Sequence, residues 1–192
     1  MKRSVIAIMR YAVTIICIPV LLFSACNSDD AYTTYSRYKA SFIYESVTTT
    51  TPLLHALTGP GEFCTIKNVV GKQLVFASLS QSQTVNVSAA AIYQRFVCIC
   101  GFIVGKPYTI EIGYDDLRPV CFDLACPNCY HDDAIQRDLA LQEGGFAYCS
   151  RCERRYNLNN LGIVEGAPTG KPLERYRIIY GSDNPNHMAI SN

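Results

Sequence analysis

The sequence has little charge and no excess of either sign. Charged residues make up 17% of the 192 positions, hydrophobic residues make up 49%, and the net charge is +1. Three of the 17 basic residues precede position 11, so residues 26–192 carry 14 basic side chains against 16 acidic ones. This composition excludes a disordered or fibrous protein. It also lacks the basic excess that nucleic-acid backbones require, so nucleic acid is not an expected partner.

The sequence also lacks the usual signals of an enzyme and of a helical protein. It has no tryptophan, no internal repeat and no long amphipathic helix pattern, and no phosphate-binding loop, nucleophile–base pair or paired carboxylate stands out. It has instead 13 tyrosines, eight phenylalanines and many valine, isoleucine and threonine residues, which favour strands. We therefore predict an all-β protein without a catalytic site.

The first 25 residues have the pattern of a cleaved leader. A basic start is followed by an apolar run over residues 15–23, which Pro19 interrupts and which is too short to span a membrane permanently. Ser24-Ala25-Cys26 follows at once and resembles the lipobox of bacterial lipoproteins. That resemblance implies cleavage before Cys26, a diacylglycerol on its sulfur, and a membrane as partner through this anchor in the bacterial cell envelope, at the outer membrane. Asn27-Ser28-Asp29-Asp30, which ends in two acidic residues, resembles a surface-export signal of Bacteroidetes-type lipoproteins.

The rest of the chain is predicted to divide into three parts. Residues 26–54 are rich in Tyr, Ser and Thr and are predicted to be a tether, with one helical turn or strand near residues 38–44. Residues 55–181 are predicted to form the β domain, and residues 182–192 a flexible tail. The predicted strands are Phe63–Val70, Gln73–Leu79, Thr84–Val87, Arg95–Val104, Tyr108–Ile112 and a last one over Arg175–Tyr180, with a helical turn over residues 89–93. Arg95–Val104 is apolar on both faces and should be central, with Phe96, Cys98, Cys100 and Phe102 on one face.

Two C-x-x-C pairs carry the strongest chemical signal. Cys126 and Cys129 form the first pair, Cys149 and Cys152 form the second, and 19 residues separate them. Each pair can fold into a tight turn that aims two thiolates at one point, so the two turns together can supply a tetrahedron of sulfur for zinc or iron. Such a site is closed to water, which argues against catalysis at the metal. Disulfides and plain buried thiols are the alternative interpretations.

The residues around these pairs resemble the Rieske iron–sulfur domain. The matching segments, spread over residues 120–180, are Phe122-Asp123-Leu124-Ala125-Cys126-Pro127, Phe146-Ala147-Tyr148-Cys149, Tyr156-Asn157, Gly166-Ala167-Pro168 and Tyr176. The resemblance implies an antiparallel β sandwich or barrel with a small metal-binding subdomain of two C-x-x-C knuckles at residues 120–172. It also implies that Gly166, Ala167 and Pro168 form a loop that covers the site.

The resemblance fails at the two cluster histidines, whose positions fall on Asn128 and Cys152. A conventional Rieske centre is therefore not expected. The remaining cofactors are zinc (Zn2+), an all-cysteine 2Fe–2S cluster, or a single iron ion as in rubredoxin. Zinc predicts a structural or binding protein that is not catalytic, and the 2Fe–2S cluster predicts an electron carrier. No protein partner is indicated.

Several residues near or outside the knuckles need a separate interpretation. Arg151, which clusters with Arg154 and Arg155, could offset the negative charge of a tetrathiolate site or belong to a docking patch. His131 follows Cys129 by two residues, and we expect it to be an exposed loop histidine rather than a substitute ligand. The other body cysteines, Cys64, Cys98, Cys100 and Cys121, are expected to pack in the core, although pairing among them stays open.

Overall fold

Strands dominate the computed structural model, which describes residues 35–69, 73–87, 96–166 and 169–192. The predicted leader, Cys26 and the predicted helical turn at residues 89–93 lie outside these ranges. Residues Thr34–Asn192 form one compact unit. Its helices are α1 (Thr51–Thr58), preceded by a 3-10 turn at Val47–Thr49, and α2 (Pro127–Asp133). Its strands are β1 (Ser41–Tyr44), β2 (Glu62–Val69), β3 (Gln73–Ala77), β4 (Ser82–Asn86), β5 (Phe102–Lys106), β6 (Val120–Asp123), β7 (Ala140–Gln142), β8 (Phe146–Tyr148), β9 (Arg155–Asn157), β10 (Ile163–Glu165), β11 (Arg175–Ile179) and β12 (Met188–Ser191).

The strands form two antiparallel sheets of unequal size. The large sheet has the order β1-β12-β11-β6-β5-β2-β3-β4 and curls into a half-barrel. The small sheet has the order β10-β9-β8-β7 and is a run of three short hairpin-like pairings. The first cysteine pair lies at the start of helix α2. The second lies in the turn between β8 and β9, two strands of the small sheet.

Two apolar clusters hold the fold together, and β5 lies between them. Phe102 and Val104 pack into the main cluster, where Phe102 contacts the rings of Phe42 and Tyr176. Ile103, which alternates with them, packs into a second cluster that also contains three of the site cysteines. The central strand predicted from two apolar faces is therefore present over residues 102–104. Truncating a side chain such as Phe102 to alanine should cost about 3–5 kcal/mol of folding free energy.

The predicted strand Arg95–Val104 is shorter than expected because its first half is bent. The backbone N–H groups of Ile99 and Cys100 donate to the carboxylate of Asp123, at 2.8 and 3.2 Å, instead of to a neighbouring strand. Regular pairing resumes only at Phe102. Phe96 and Cys98 consequently pack against the main cluster with Phe102, while Cys100 packs against the second one, so the predicted common face is wrong at Cys100.

The segment predicted as strand Tyr108–Ile112 is a loop in the structure. The N–H of Tyr114 donates to the carbonyl of Glu111 at 3.1 Å, and Gly113 has a φ of +95°, which closes a tight turn. The alternating pattern of the sequence is real, but its polar member, Glu111, points to Arg175 rather than to solvent.

The predicted tether and tail both contribute strands to the large sheet. Strand β12, in the predicted tail, lies between β1 and β11 and pairs with β1 from Ser41↔Ser191 to Tyr44↔Met188. Phe42 and Ile190, which face each other in this register, are buried. Leu53 in α1 is buried as well. The folded unit therefore begins before residue 55 and continues past residue 181. Among the described residues, no helix has the length and apolar character of a membrane span.

Candidate metal centre

The first knuckle is formed where β6 runs into α2. Cys126 immediately precedes the helix and Cys129 lies in its first turn, with the N–H of Tyr130 bonded to the carbonyl of Cys126 at 3.0 Å. Pro127 is at the start of the helix, where a backbone N–H would have no helical partner. Its missing N–H therefore costs no hydrogen bond. The N–H of Cys126 donates to the carbonyl of Arg137 at 2.8 Å, which joins the residue before the helix to the segment after it. Local backbone bonds thus aim both thiols in one direction.

The second knuckle is the turn between β8 and β9. The N–H of Cys149 donates to the carbonyl of Arg154 at 3.0 Å, and the N–H of Glu153 donates back to the carbonyl of Cys149 at 2.9 Å. Glu153 has a φ of +57°, a left-handed conformation that lets the chain reverse within four residues. Cys149 and Cys152 therefore sit at the two ends of one reversed turn.

The four thiols meet at one point. Their sulfur atoms all lie within 4.8 Å of one another, with Cys126 Sγ at 3.5 Å from Cys152 Sγ and Cys129 Sγ at 3.7 Å from Cys149 Sγ. Four sulfurs at 2.3 Å from one ion in a tetrahedron are about 3.8 Å apart, so the spacing suits a single ion. The eight cysteines in the described residues are all thiols, so the disulfide interpretation does not describe these two pairs. The arrangement could bind a metal ion.

The protonation of these thiols depends strongly on position. Burial raises the pKa of the Cys126 thiol to about 11 and also raises the pKa of Cys129. At Cys152 burial acts in the same direction, but the neighbouring backbone and side chain of Arg154 and the thiols of Cys126 and Cys149 outweigh it and bring the pKa to about 7. Metal binding requires thiolates, so an ion bound here would displace protons from the buried thiols.

Tyr156 on β9 supports the first knuckle directly. Its fully buried hydroxyl lies 3.1 Å from Cys126 Sγ and accepts a hydrogen bond of 2.9 Å from Asn128 Nδ2. Because that oxygen already accepts from Asn128, its own hydrogen is available to donate to the sulfur of Cys126. Burial raises the pKa of Tyr156, which keeps this hydroxyl a donor. A donor of this kind stabilises Cys126 as a thiolate.

Asn128 ties the site to the chain that follows β10. Its side chain also bonds both main-chain groups of Lys171, donating to the carbonyl at 3.1 Å and accepting from the N–H at 3.0 Å. A Cβ on Gly170 would lie 2.8 Å from Asn128 Oδ1, so only glycine fits this close approach. Of the predicted cover residues, Gly166 is exposed and Ala167 and Pro168 lie outside the described residues. The segment seen to approach the site is residues 169–171.

The structure distinguishes the three arginines of the second knuckle. Arg151 forms an exposed ion pair of 3.0 Å with Asp133, and Arg155 pairs with Glu165 while its guanidinium covers the ring of Phe146. Arg154 is the arginine that interacts with Cys152, and this interaction raises the pKa of its guanidinium. The charge-offsetting role predicted for Arg151 therefore suits the position of Arg154 better.

The remaining sulfur and imidazole groups lie outside the four-thiol group. Cys64 and Cys121 are fully buried in the main cluster, and burial raises the pKa of Cys64 to about 12. Burial likewise raises the pKa of Cys100 to about 12. Thiols with such values are unreactive at neutral pH. His131 lies on α2 with its Nε2 at 2.7 Å from Glu174, so it is in a helix rather than the predicted loop.

Asp123 is the organising residue that sequence analysis did not single out. Its buried carboxylate accepts from the N–H of Ala125 at 2.8 Å and from the hydroxyl of Tyr176 at 3.0 Å, besides its two bonds to the bent segment at residues 99–100. It therefore connects the start of the first knuckle to β11 and to the break before β5. A lone acid inside the apolar run 120–125 was the available signal.

No family model matches this chain, and no curated protein is found that is similar to it. The geometry of the four thiols and of their neighbours is therefore the basis for a functional proposal.

Proposed function

We propose that this protein is a lipid-anchored protein of the bacterial cell envelope, at the outer membrane, whose Rieske-like domain holds one zinc ion with Cys126, Cys129, Cys149 and Cys152. The ion has a structural or binding role and no catalytic one. The observation that carries the proposal is the convergence of four sulfur atoms within 4.8 Å of one another.

The spacing of the sulfurs supports one ion rather than a two-iron cluster. In a 2Fe–2S cluster, two bridged irons each take two cysteines, so sulfurs bound to different irons must lie farther apart than sulfurs bound to the same ion. Here the close contacts run across the knuckles, between Cys126 and Cys152 and between Cys129 and Cys149, and the remaining distances are also short. Four sulfur ligands leave no open position for water, so zinc here would act by holding the two knuckles together.

The position of the site in the fold supports a structural role. Cys126, Cys129 and Cys149 are buried members of the second apolar cluster, in which Phe122 and Leu158 also pack. The strands beside the second knuckle are only three residues long. Short strands with few ladder bonds gain most from a cross-link, and an ion held between residues 126 and 152 supplies one.

Several features support the Rieske-like assignment, which comes from the order of residues in the sequence. Two cysteine knuckles converge, the hydroxyl of Tyr156 contacts Cys126, and residues 169–171 approach the site. Asn128, which occupies the position of a family histidine, has its side-chain groups engaged by Tyr156 and Lys171. The envelope assignment is supported by the lipobox-like sequence before Cys26.

An electron carrier with an all-cysteine 2Fe–2S cluster is the second candidate. The observation that favours it is the partial exposure of Cys152, which brings one ligand to the surface where electrons could enter. Four thiolates would place its potential near about −400 mV, the plant-type ferredoxin range, rather than in the Rieske range.

Metal analysis of anaerobically purified protein separates these candidates. Zinc predicts a colourless protein with one equivalent of zinc and no acid-labile sulfide. A cluster predicts a brown protein with two iron and two sulfide per chain. Cys152→Ser should lower the content of either metal, while Cys100→Ser, a matched change outside the four-thiol group, should leave it unchanged. Equal metal content in Cys152→Ser and the unmodified chain would refute the four-cysteine site.

A further inference from the structure

The segment Tyr108–Tyr114, in the loop between β5 and β6, exposes four apolar side chains. The exposed fractions are 58% for Tyr108, 55% for Ile110 and 39% for Tyr114, and Ile112 is fully exposed. Single exposed apolar residues are common on soluble proteins, whereas four within seven residues form a patch. We call residues Tyr108–Tyr114 the apolar tip.

The outward direction of the isoleucines follows from an inward ion pair. Glu111 receives two hydrogen bonds from the guanidinium of Arg175, at 2.7 and 2.6 Å, and Arg175 is almost fully buried. Ile110 and Ile112, on either side of Glu111, are exposed. The tight turn closed by Gly113 places Ile112 at its end. The chain thus turns its acid inward and its isoleucines outward, the reverse of the usual arrangement.

Two of the three acids in or beside the apolar tip are paired with arginines, whereas Asp115 is exposed. Glu111 is paired with Arg175, and Asp116 accepts from Arg118 Nε at 3.0 Å. The guanidinium of Arg118 also lies 4.1 Å from the centre of the Tyr114 ring. Moving the tip into a less polar medium would therefore leave neither pair without its partner. Isoleucines at a tip with a tyrosine on each side have the composition of segments that lie in a membrane interface.

The chain enters the folded unit beside the same ion pair. The ring of Tyr35, the first described residue, lies 5.2 Å from the guanidinium of Arg175. Tyr35 follows Cys26 by nine positions, and an extended chain of that length spans at most about 30 Å. A lipid on Cys26 would therefore keep this side of the unit within about 30 Å of the bilayer.

From these observations we infer that the apolar tip inserts into the headgroup and acyl boundary of a lipid membrane. The inference rests on the proposed lipid anchor, because the anchor makes insertion effectively intramolecular. The tip would fix how the domain is oriented on the membrane, and the ion pair of Glu111 and Arg175 is the device that presents it. Insertion driven by apolar burial should resist salt, unlike binding to charged headgroups.

A single tryptophan at the tip tests this inference, since the natural chain has none. Full-length Ile112→Trp is purified from bacterial envelope membranes and reconstituted into phosphatidylcholine vesicles with or without acyl chains brominated as quenchers. The matched control is Leu79→Trp, at a 59% exposed position between β3 and β4. We expect the Ile112→Trp emission to shift to shorter wavelength and to fall about twofold with brominated lipid, also at about 1 M salt. The Leu79→Trp emission should change little.

The anchor and the tip can fail separately in this experiment. Intact mass and flotation report the lipid on Cys26, whereas quenching reports the tip. A lipidated chain that floats with vesicles while Ile112→Trp is quenched no more than Leu79→Trp would overturn the inference and leave the anchor standing. If the chain carries no lipid, the anchor fails, and quenching is measured on that chain with excess vesicles. Absence of quenching there overturns the inference as well. A blue-shifted Ile112→Trp emission without vesicles, together with dimers in sedimentation, would instead assign the tip to a second copy.

Discussion

The hydroxyl of Tyr156 lies 3.1 Å from the sulfur of Cys126. The two residues come from different elements, Cys126 from the start of α2 and Tyr156 from β9. The contact therefore exists only when the two knuckles are brought together, and it links ligand orientation to the fold of the small sheet.

Removing this hydroxyl should weaken metal binding without unfolding the protein. Tyr156→Phe deletes the donor to Cys126 and leaves Asn128 Nδ2 without one acceptor, and loss of such supporting groups typically lowers metal affinity 10- to 100-fold. Competition with a chromophoric chelator measures the affinity. Tyr180→Phe, which removes a hydroxyl in the main cluster, is the control and should leave the affinity unchanged. Equal affinities for both variants would show that Tyr156 has no supporting role.

Removal of the ion should loosen the small sheet and spare the large one. The second apolar cluster includes the ligands themselves, whereas the main cluster around Phe102 contains none of them. Hydrogen exchange on chelated protein should therefore rise in residues 140–157 and stay low in β2, β3 and β5. Exchange that rises equally in both sheets would mean that the ion supports the whole fold.

Acid should release the loop that carries the apolar tip. The hydrogen bond from Arg175 lowers the pKa of Glu111 below its ordinary 4.5, although partial burial opposes this shift. A carboxyl whose folded pKa is depressed stabilises the fold above its unfolded pKa and loses that contribution as pH falls through the folded pKa. Proteolysis of residues 107–119 should thus accelerate as the pH is lowered from about 4.5.

Glu111→Gln should already show rapid proteolysis of this loop at pH 7 and should respond little to acid, because glutamine does not titrate. The control is Asp116→Asn, which breaks a pair exposed to solvent and should change the rate little, since such pairs contribute about 0–1 kcal/mol. If acid exposes the loop equally in the unmodified chain and in Glu111→Gln, another group is responsible.

Cys26→Ser should abolish labelling by a fatty-acid probe and release the protein from membranes. Cys17→Ser changes the other cysteine of the leader region and should preserve both labelling and retention. Retention of Cys26→Ser without label would indicate that the apolar leader remains as an uncleaved anchor.

The local sequence determined the features that depend on near neighbours. The abundance of β-branched and aromatic residues predicted a protein dominated by strands, and β2, β3 and β11 lie where the alternating pattern placed them. The two C-x-x-C spacings predicted two tight turns, because a turn of four residues is set mainly by its own backbone bonds. They also identified the four thiols that the fold brings together.

The tertiary structure decided what depends on residues far apart in the chain. The strand predicted as one alternative near residues 38–44 is present as β1, but its partner β12, in the predicted tail, has four residues, too few to reveal a pattern, and the two strands are stabilised by pairing between positions 41 and 191. The strand predicted from residue 95 is bent by Asp123, which lies more than 20 residues later. Arg175 turns Glu111 inward across 64 positions and so exposes Ile112. In each case, residues far away in the sequence set the position of a buried polar group or of a short apolar segment. A pattern within one segment does not contain those residues.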